Sequence, residues 1–276
     1  MTSRALVLGG GGVTGVAWEL GLLAGLAEAG VDLTDADVVI GTSAGSVVAA
    51  QVTSGVDLEK LYEAQLVGPG SELAARLSTA TALRWGLAAL SSRDPQRVRA
   101  RIGAMALAAR TVPEAERRAV IEARLPVHDW PGRRLLVTAV DAASGEFVAF
   151  DRDSGVRLVD AVGASCAVPG VWPPVTIDGR RYVDGGVRSA ANVDLAQGYE
   201  RVVVIAPLVR GGGVIPSVAK QVATLSGAAV VVSPDEPARK AIGRNALDPA
   251  RRAPAARAGR AQAAAVSAAV AEVWSR

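Results

Sequence analysis

Two short apolar segments, each followed by glycine and then by a helix-like segment, constrain the fold of this 276-residue chain most strongly. Residues 6–8 run into four glycines, and helix-compatible apolar spacing then covers 13–29. Residues 37–40 end at Gly41, and a small-residue helical pattern covers 43–52. Two consecutive strand–turn–helix units predict parallel strands covered by helices, which is an α/β fold.

The rest of the chain extends this pattern into one domain over 1–276. Residues 57–125 are helical in composition and contain no convincing strand, so we predict a helical insertion or cap there. Further strands are predicted at 134–141, 145–150, on both sides of a turn at 178–179, at 201–207 and at 228–233. A basic, alanine-rich helix is predicted at 249–274.

Composition excludes several classes of protein. The net charge of +3 comes mostly from arginines spread along the chain, which argues against a nucleic-acid partner. No segment is typical of a signal peptide or a membrane span, so we predict a cytoplasmic protein. The basic C-terminal helix could contact an anionic membrane, but a helix docked on the domain is the favoured interpretation.

Cys166 is the single cysteine, in an apolar segment typical of a buried structural thiol.

A candidate nucleophile lies between the second strand and its helix. Residues 41–45 read GTSAG, the G-x-S-x-G pattern in which a sharp strand-to-helix turn exposes a serine hydroxyl. Glycines on both sides allow the strand and helix backbones to approach closely. Ser43 is therefore the candidate nucleophile, and the alternative is that its hydroxyl only caps the helix.

The glycine-rich segment at 9–15 could bind an anion through its backbone amides. One candidate anion is a pyrophosphate, because Gly10, Gly12 and Gly15 satisfy the G-x-G-x-x-G pattern; the other is the oxyanion of an ester under attack. The second strand ends in GTSAG rather than in the acidic residue that dinucleotide sites use, and Val16 stands where a P-loop needs lysine. A nucleotide-binding oxidoreductase or a phosphate-binding module is the alternative function.

A serine nucleophile needs a base, and histidine is the usual one. The single histidine, His128, precedes Asp184, which is the wrong order for an α/β-hydrolase triad. Asp184 begins the sequence DGG at the end of a predicted strand. It could accept the serine proton directly if burial raises its pKa, and the alternative is a turn in which Asp184 bonds its own backbone.

Together these segments resemble the patatin-like phospholipase family. The resemblance is carried by GGGGVTG at 9–15, GTSAG at 41–45, ASCAVPGVWPPV at 164–175 and DGG at 184–186, in the family's order and spacing. It covers most of 4–207.

The resemblance implies a three-layer α/β/α sandwich with a mainly parallel sheet and a lipid acyl hydrolase, of phospholipase A or lysophospholipase type. It implies Ser43 and Asp184 as a catalytic dyad, with the amides of Gly10, Gly11 and Gly12 as the oxyanion hole. Neither a metal nor a cofactor is expected, and the expected partner is a lipid or another acyl ester.

Thr14 departs from the family pattern, in which many members carry a basic residue at this place. Ester hydrolysis is therefore predicted more strongly than phospholipid as the substrate. A catalytically silent lipid-binding scaffold is a further alternative.

Overall fold

The computed structural model describes residues 2–68, 70 and 72–275. Its strands are β1 Arg4–Leu8, β2 Val38–Gly41, β3 Arg134–Asp141, β4 Phe147–Phe150, β5 Val175–Ile177, β6 Arg180–Asp184, β7 Arg201–Ile205 and β8 Ala228–Val232. Its α-helices are α1 Gly12–Glu28, α2 Ala44–Val52, α3 Leu58–Leu66, α4 Thr79–Leu90, α5 Pro95–Leu107, α6 Glu114–Arg124, α7 Leu158–Ser165, α8 Val218–Val222, α9 Glu236–Ile242 and α10 Arg252–Trp274.

The strands form a single mixed sheet in which neighbours follow the order β5, β6, β3, β2, β1, β7, β8. The pairs β1–β2, β1–β7, β2–β3 and β7–β8 are parallel. The antiparallel pairs lie at one side, where β4 and β6 pair with β3 and β5 pairs with β6. The predicted α/β fold with a mainly parallel sheet is confirmed.

Both faces of the sheet are covered, because successive strand residues point to opposite sides. In β1, Leu6 and Leu8 belong to the large core formed with α1, α2, α7 and α10, whereas Ala5 and Val7 belong to a second core under α8 and the turn Val193–Ala196. A third cluster lies beneath α5, against β3 and β6. The molecule therefore has three layers, and the layer with α1 and α10 is the thicker of the two helical ones.

Two strands end against the same edge of β3. Val137 pairs with Gly41 of β2 and, on its other side, with β4. Ala139 pairs with Asp184 of β6 and, again on its other side, with β4. Since β4 occupies one edge of β3, β2 and β6 share the opposite edge and run towards each other. This arrangement brings the end of β2 to within about two residue steps, roughly 7 Å, of the end of β6.

The segment 57–125 contains the four helices α3 to α6, and two of its residues, Pro69 and Ser71, lie outside the described part of the chain. Three of these helices pack on the body of the domain, α3 against α1 and α10, α5 against β3, and α6 against α7. In contrast, α4 packs on α5 and leaves three leucines of one face exposed, Leu83, Leu87 and Leu90.

The C-terminal helix α10 lies directly against α1, and a short 3-10 turn at Pro249–Arg251 precedes it. A Cβ atom on Gly259 would overlap with the Trp18 carbonyl oxygen, and one on Gly21 would overlap with the Ala256 carbonyl oxygen. The Trp18 indole donates a hydrogen bond of 3.0 Å to Gln262 Oε1 across the same contact. Small residues are therefore required here by the close approach of two helix backbones, and the alanine-rich face of α10 is buried. None of the helices in the described residues combines the length and the apolar character needed to cross a bilayer.

We expect Gly259→Ala to destabilise the protein, because its methyl group has no space beside the Trp18 carbonyl. The free energy of unfolding should fall by about 1–3 kcal/mol. Gly86→Ala is the matched control, since Gly86 lies inside α4 with open space around it, and alanine there should raise stability by up to about 1 kcal/mol. Urea unfolding followed by circular dichroism measures both variants. Equal effects would contradict the proposed crowding between α1 and α10.

Candidate active site

Ser43 lies on a strained turn between β2 and α2. Its φ of 54° and ψ of −117° are unusual for a residue with a side chain. A Cβ on Gly45 would overlap with the Leu8 carbonyl, and one on Gly41 would lie 2.5 Å from Ser46 Cα. Both glycines of the GTSAG segment are therefore required by the close approach of strand and helix, as predicted for a nucleophile elbow.

Neighbouring side chains hold the backbone of this turn. The Ser43 amide donates to Ser165 Oγ at 2.9 Å. Its carbonyl oxygen accepts hydrogen bonds from Ser46 Oγ at 2.7 Å and from the Cys166 thiol at 3.2 Å. With its amide and carbonyl fixed, Ser43 keeps the strained conformation, and its hydroxyl is the group left to interact with Asp184.

Asp184 ends β6 and points its carboxylate towards Ser43. Its Oδ1 accepts the Gly186 amide at 2.7 Å, which is the turn expected for an Asp-Gly-Gly segment, and the carboxylate also interacts by hydrogen bonding with the Ser43 side chain. Burial raises the pKa of Asp184 from 3.8 to about 7, although these two hydrogen bonds oppose the change. The turn that the sequence suggested for Asp184 is therefore present, while its role as the base for Ser43 stays a prediction.

Asn192 braces the two strand ends that carry Ser43 and Asp184. It is fully buried in the left-handed conformation, with φ of 50° and ψ of 44°. Its Nδ2 lies 3.0 Å from Thr42 Oγ1, 3.3 Å from Thr138 Oγ1 and 3.3 Å from the Gly185 carbonyl oxygen. One side chain thus connects the residue before Ser43, the strand β3 and the residue after Asp184.

The glycine-rich loop offers fewer amides than the sequence analysis expected. The Gly10 amide donates to the Ala190 carbonyl at 2.7 Å, so Gly10 holds the loop in place and has no free N–H for an oxyanion. Among the described residues, no protein acceptor is found for the Gly11 and Gly12 amides, and Gly12 has the positive φ of 63° that favours glycine. Gly11 and Gly12 therefore remain as the candidate donors at the start of α1.

Thr14 is fully buried and does not face the site. Its amide and its hydroxyl both donate to the Ala246 carbonyl, each at 3.1 Å. The segment around Ala246 thus covers the glycine loop, and Leu247 lines the pocket beside Ser43.

The pocket at Ser43 is lined on the opposite side by groups that the sequence analysis missed. Arg117 of α6 packs its guanidinium 3.9 Å from the centre of the Trp172 ring. Arg124, also on α6, forms a bidentate ion pair with Glu72. These four residues all line the same pocket as Ser43, and three of them, Arg117, Arg124 and Glu72, are charged. The spacing of residues in the sequence could have indicated that Arg117 is buried, because it lies on the same face of α6 as the apolar residues Val120 and Ile121.

Two other residues singled out from the sequence are placed clearly. His128 is exposed, and its Nε2 lies 3.1 Å from the Glu122 carbonyl oxygen rather than in the pocket. Cys166 is buried beside Ser43, and burial raises the pKa of its thiol. Within the described part of the chain, His, Cys, Asp and Glu side chains form no group of three or more that could hold a metal ion.

Comparison with known proteins identifies the family. The model of the patatin-like phospholipase family matches residues 6–196. Among solved structures, VipD from Legionella pneumophila superposes with a TM-score of 0.50 and 14% identity, over 98% of this chain and 67% of VipD. The type III effector protein ExoU gives a TM-score of 0.46 and 17% identity, over 98% of this chain and 53% of ExoU. The search of curated proteins finds no match. The family match supports a lipid ester hydrolase, and because it covers more than half of the sequence, this chain belongs to the patatin-like phospholipase family.

Proposed function

We propose that the protein hydrolyses acyl esters of lipids with Ser43 as nucleophile and Asp184 as general base. The observation that supports this most is the interaction of a serine on a strained strand-to-helix turn with a buried carboxylate whose pKa is raised to about 7. A base works best when its pKa lies near the pH at which it operates. An aspartate with its ordinary pKa would be too weak to accept a serine proton at neutral pH.

In the proposed reaction, Ser43 Oγ attacks the ester carbonyl carbon while its proton moves to the Asp184 carboxylate. The carbonyl oxygen becomes an oxyanion, which the amides of Gly11 and Gly12 stabilise. When the carbon–oxygen bond to the alcohol breaks, Asp184 returns the proton to the leaving alkoxide. Water then attacks the acyl-enzyme and gives a proton to Asp184, which returns it to Ser43 Oγ as the ester bond breaks and the fatty acid leaves.

The fixed backbone supports this proposal in a second way. The Ser43 amide donates to Ser165, and the Ser43 carbonyl accepts from Ser46 and Cys166, so the backbone is fixed and the hydroxyl needs little reorganisation before it attacks. Asn192 donates to Thr42, next to Ser43, and to the Gly185 carbonyl, next to Asp184, and so holds the two loops together.

The nucleotide-binding alternative has less support from the same loop. A pyrophosphate site needs several free amides at the start of the helix. In this chain the amides of Gly10 and Thr14 already donate to the Ala190 and Ala246 carbonyls. Two amides of the glycine-rich segment are thus unavailable to a diphosphate, whereas an oxyanion needs only one or two donors.

A fluorophosphonate probe should label the wild-type protein, and Ser43→Ala should abolish both labelling and ester turnover. We expect turnover to fall at least about a thousandfold, because no other group replaces the nucleophile. Ser267→Ala, a half-buried serine on α10, is the matched control and should retain wild-type labelling. In-gel fluorescence and released fatty acid are the measurements. Labelling that persists unchanged in Ser43→Ala would exclude Ser43 as the nucleophile.

The rate of hydrolysis of a neutral ester should rise with pH and level off above a midpoint of about 7. Below this midpoint Asp184 holds a proton and cannot accept another from Ser43. The measurement is kcat/KM for a monoacylglycerol between pH 5 and 9, with fatty acid release followed by mass spectrometry. A midpoint near 4, where an exposed aspartate titrates, would argue against Asp184 as the base.

Asp184→Asn should be inactive yet more stable than the wild type at neutral and alkaline pH. The folded pKa of about 7 lies above the ordinary 3.8, so ionisation favours the unfolded chain, and stability is lost as pH rises from about 4 to 7. Above pH 7 this loss amounts to up to about 4 kcal/mol at roughly 1.4 kcal/mol per unit, and asparagine avoids it while still accepting the Gly186 amide.

The melting temperatures of the two proteins between pH 4 and 9 test this expectation, and their difference should widen up to pH 7 and then stay constant. Asp129→Asn, at an exposed position, is the control and should follow the wild type. A difference that does not depend on pH would contradict the raised pKa.

A further inference from the structure

A second cavity lies beside the turn that follows Asp184. Its volume is about 310 Å³, and it shares no lining residue with the pocket at Ser43. Pockets for small ligands begin at roughly this size. Since one water molecule occupies about 30 Å³, the cavity has room for a ligand of roughly ten non-hydrogen atoms.

Three segments of the chain form this cavity. They are the start of α5, the 3-10 turn Gly185–Val187 together with Arg188, and the loop between β7 and α8. The apolar part of the lining consists of Pro95, Val98, Val187, Val214, Ile215 and Pro216. The charged groups that the described residues contribute to the lining are both arginines, Arg99 and Arg188. The cavity thus combines an aliphatic wall with a cationic one.

Arg99 brings a positive charge to this cavity without an ion-pair partner. Its Nε donates to the Gly145 carbonyl oxygen at 2.6 Å, which fixes the guanidinium group. Asp94 is the acidic group that acts on it, but Asp94 forms its ion pair with Arg97. The Nη1 and Nη2 atoms of Arg99 find no acceptor in the described part of the chain and, in contrast to Nε and Nη1 of Arg117, they are not buried. They are therefore accessible to a ligand.

Arg188 differs from Arg99 because other groups of the chain already neutralise its charge. Its guanidinium forms a bidentate ion pair with Asp194 and donates to Asn192 Oδ1 at 2.7 Å. It also lies 4.1 Å from the centre of the Phe147 ring. Burial, followed by the charge of Arg188, lowers the pKa of Arg99, but an arginine keeps its charge at neutral pH. The cavity therefore carries one uncompensated positive charge, on Arg99.

The charge and the walls together select one class of ligand. Two accessible Nη groups in one plane match the two oxygen atoms of a carboxylate. A doubly charged phosphate fits less well, because the Asp194 carboxylate on Arg188 would repel the second charge. The aliphatic lining favours a hydrocarbon chain, which leaves water when it enters the cavity.

We propose that this cavity binds an aliphatic carboxylate of roughly eight carbon atoms, with the carboxylate on Arg99 and the chain against the apolar lining. The site is separate from the candidate active site, and the inference goes beyond the proposed function without depending on it. The ligand would contact the segment that carries Asp184, because Val187 and Arg188 belong to the lining.

Calorimetric titration of the whole chain with octanoate, octanol and acetate tests this proposal. Octanoate should bind at least about tenfold more tightly than octanol, the lower end of the range for a hydrogen bond between charged groups. It should bind at least about a hundredfold more tightly than acetate, which lacks its methylene groups. Arg99→Met keeps an apolar side chain of similar length and should reduce the affinity for octanoate to that for octanol.

Two further variants separate the charge of the site from its shape. Arg93→Met removes the same charge from an exposed position just before α5, and it should bind octanoate as the wild type does. Val214→Phe narrows the cavity without changing its charge and should weaken octanoate binding at least about tenfold. Circular dichroism establishes that each variant is folded.

Equal affinity of the wild type for octanoate and octanol, or for octanoate and acetate, would overturn the proposal. Unchanged octanoate binding in a folded Arg99→Met protein would also overturn it, because the ligand would then lie elsewhere, for example in the pocket at Ser43. If Arg99→Met does not fold, Val214→Phe decides in its place. A protein that hydrolyses no ester but binds octanoate as described would contradict the proposed hydrolase function alone.

Discussion

The site depends on two strands that end against one edge of β3. Because β2 and β6 share that edge and run towards each other, Ser43, two residues beyond the end of β2, and Asp184, the last residue of β6, meet beside β3. A carboxylate placed there is buried by the sheet and the surrounding loops, which raises its pKa. The topology thus brings Ser43 and Asp184 together and sets the electrostatic environment of the carboxylate.

Burial in this pocket has opposite consequences for its ionisable groups. Asp184 responds by holding its proton up to about pH 7 and so becomes a stronger base. Arg117 cannot respond in this way, because even a pKa lowered to about 10 leaves it charged at neutral pH. The same burial therefore leaves the carboxylate with a pKa near neutral and the arginine still charged.

Local features of the site could be predicted from the sequence, whereas contacts between distant segments could not. The GTSAG and DGG segments each specify a turn, and each turn occurs where its glycines predict it. The sequence gives no sign that the Gly10 amide is already used, because its acceptor, the Ala190 carbonyl, lies far away in the chain. The prediction that this amide belongs to the oxyanion hole therefore misses that hydrogen bond. Arg117 and Arg118 are adjacent and chemically equal in sequence. Only the packing of α6 on the domain, with successive side chains about 100° apart, directs one into the pocket and the other to surface carboxylates.

The alanine content of α10 also has a cause that the sequence alone did not reveal. The sequence favours a helix docked on the domain, and the structure adds why its residues are small, since they lie where α10 crosses α1 at close range. The composition predicts the helix correctly. The residues that require its small side chains belong to α1, more than two hundred positions earlier in the chain.

The position of Ala246 and Leu247 has a consequence for how this enzyme family can diversify. The Ala246 carbonyl accepts the Thr14 hydrogen bonds beside the glycine loop and Leu247 lines the pocket, yet both residues lie beyond residue 196, where the family match ends. Ser43 and Asp184 are thus encoded in one stretch of the chain, and the part of the pocket wall formed by Leu247 is encoded in another. Insertions or exchanges in the C-terminal stretch can reshape what the pocket admits without altering the turn that carries the serine, so selectivity and reactivity are free to evolve at different rates.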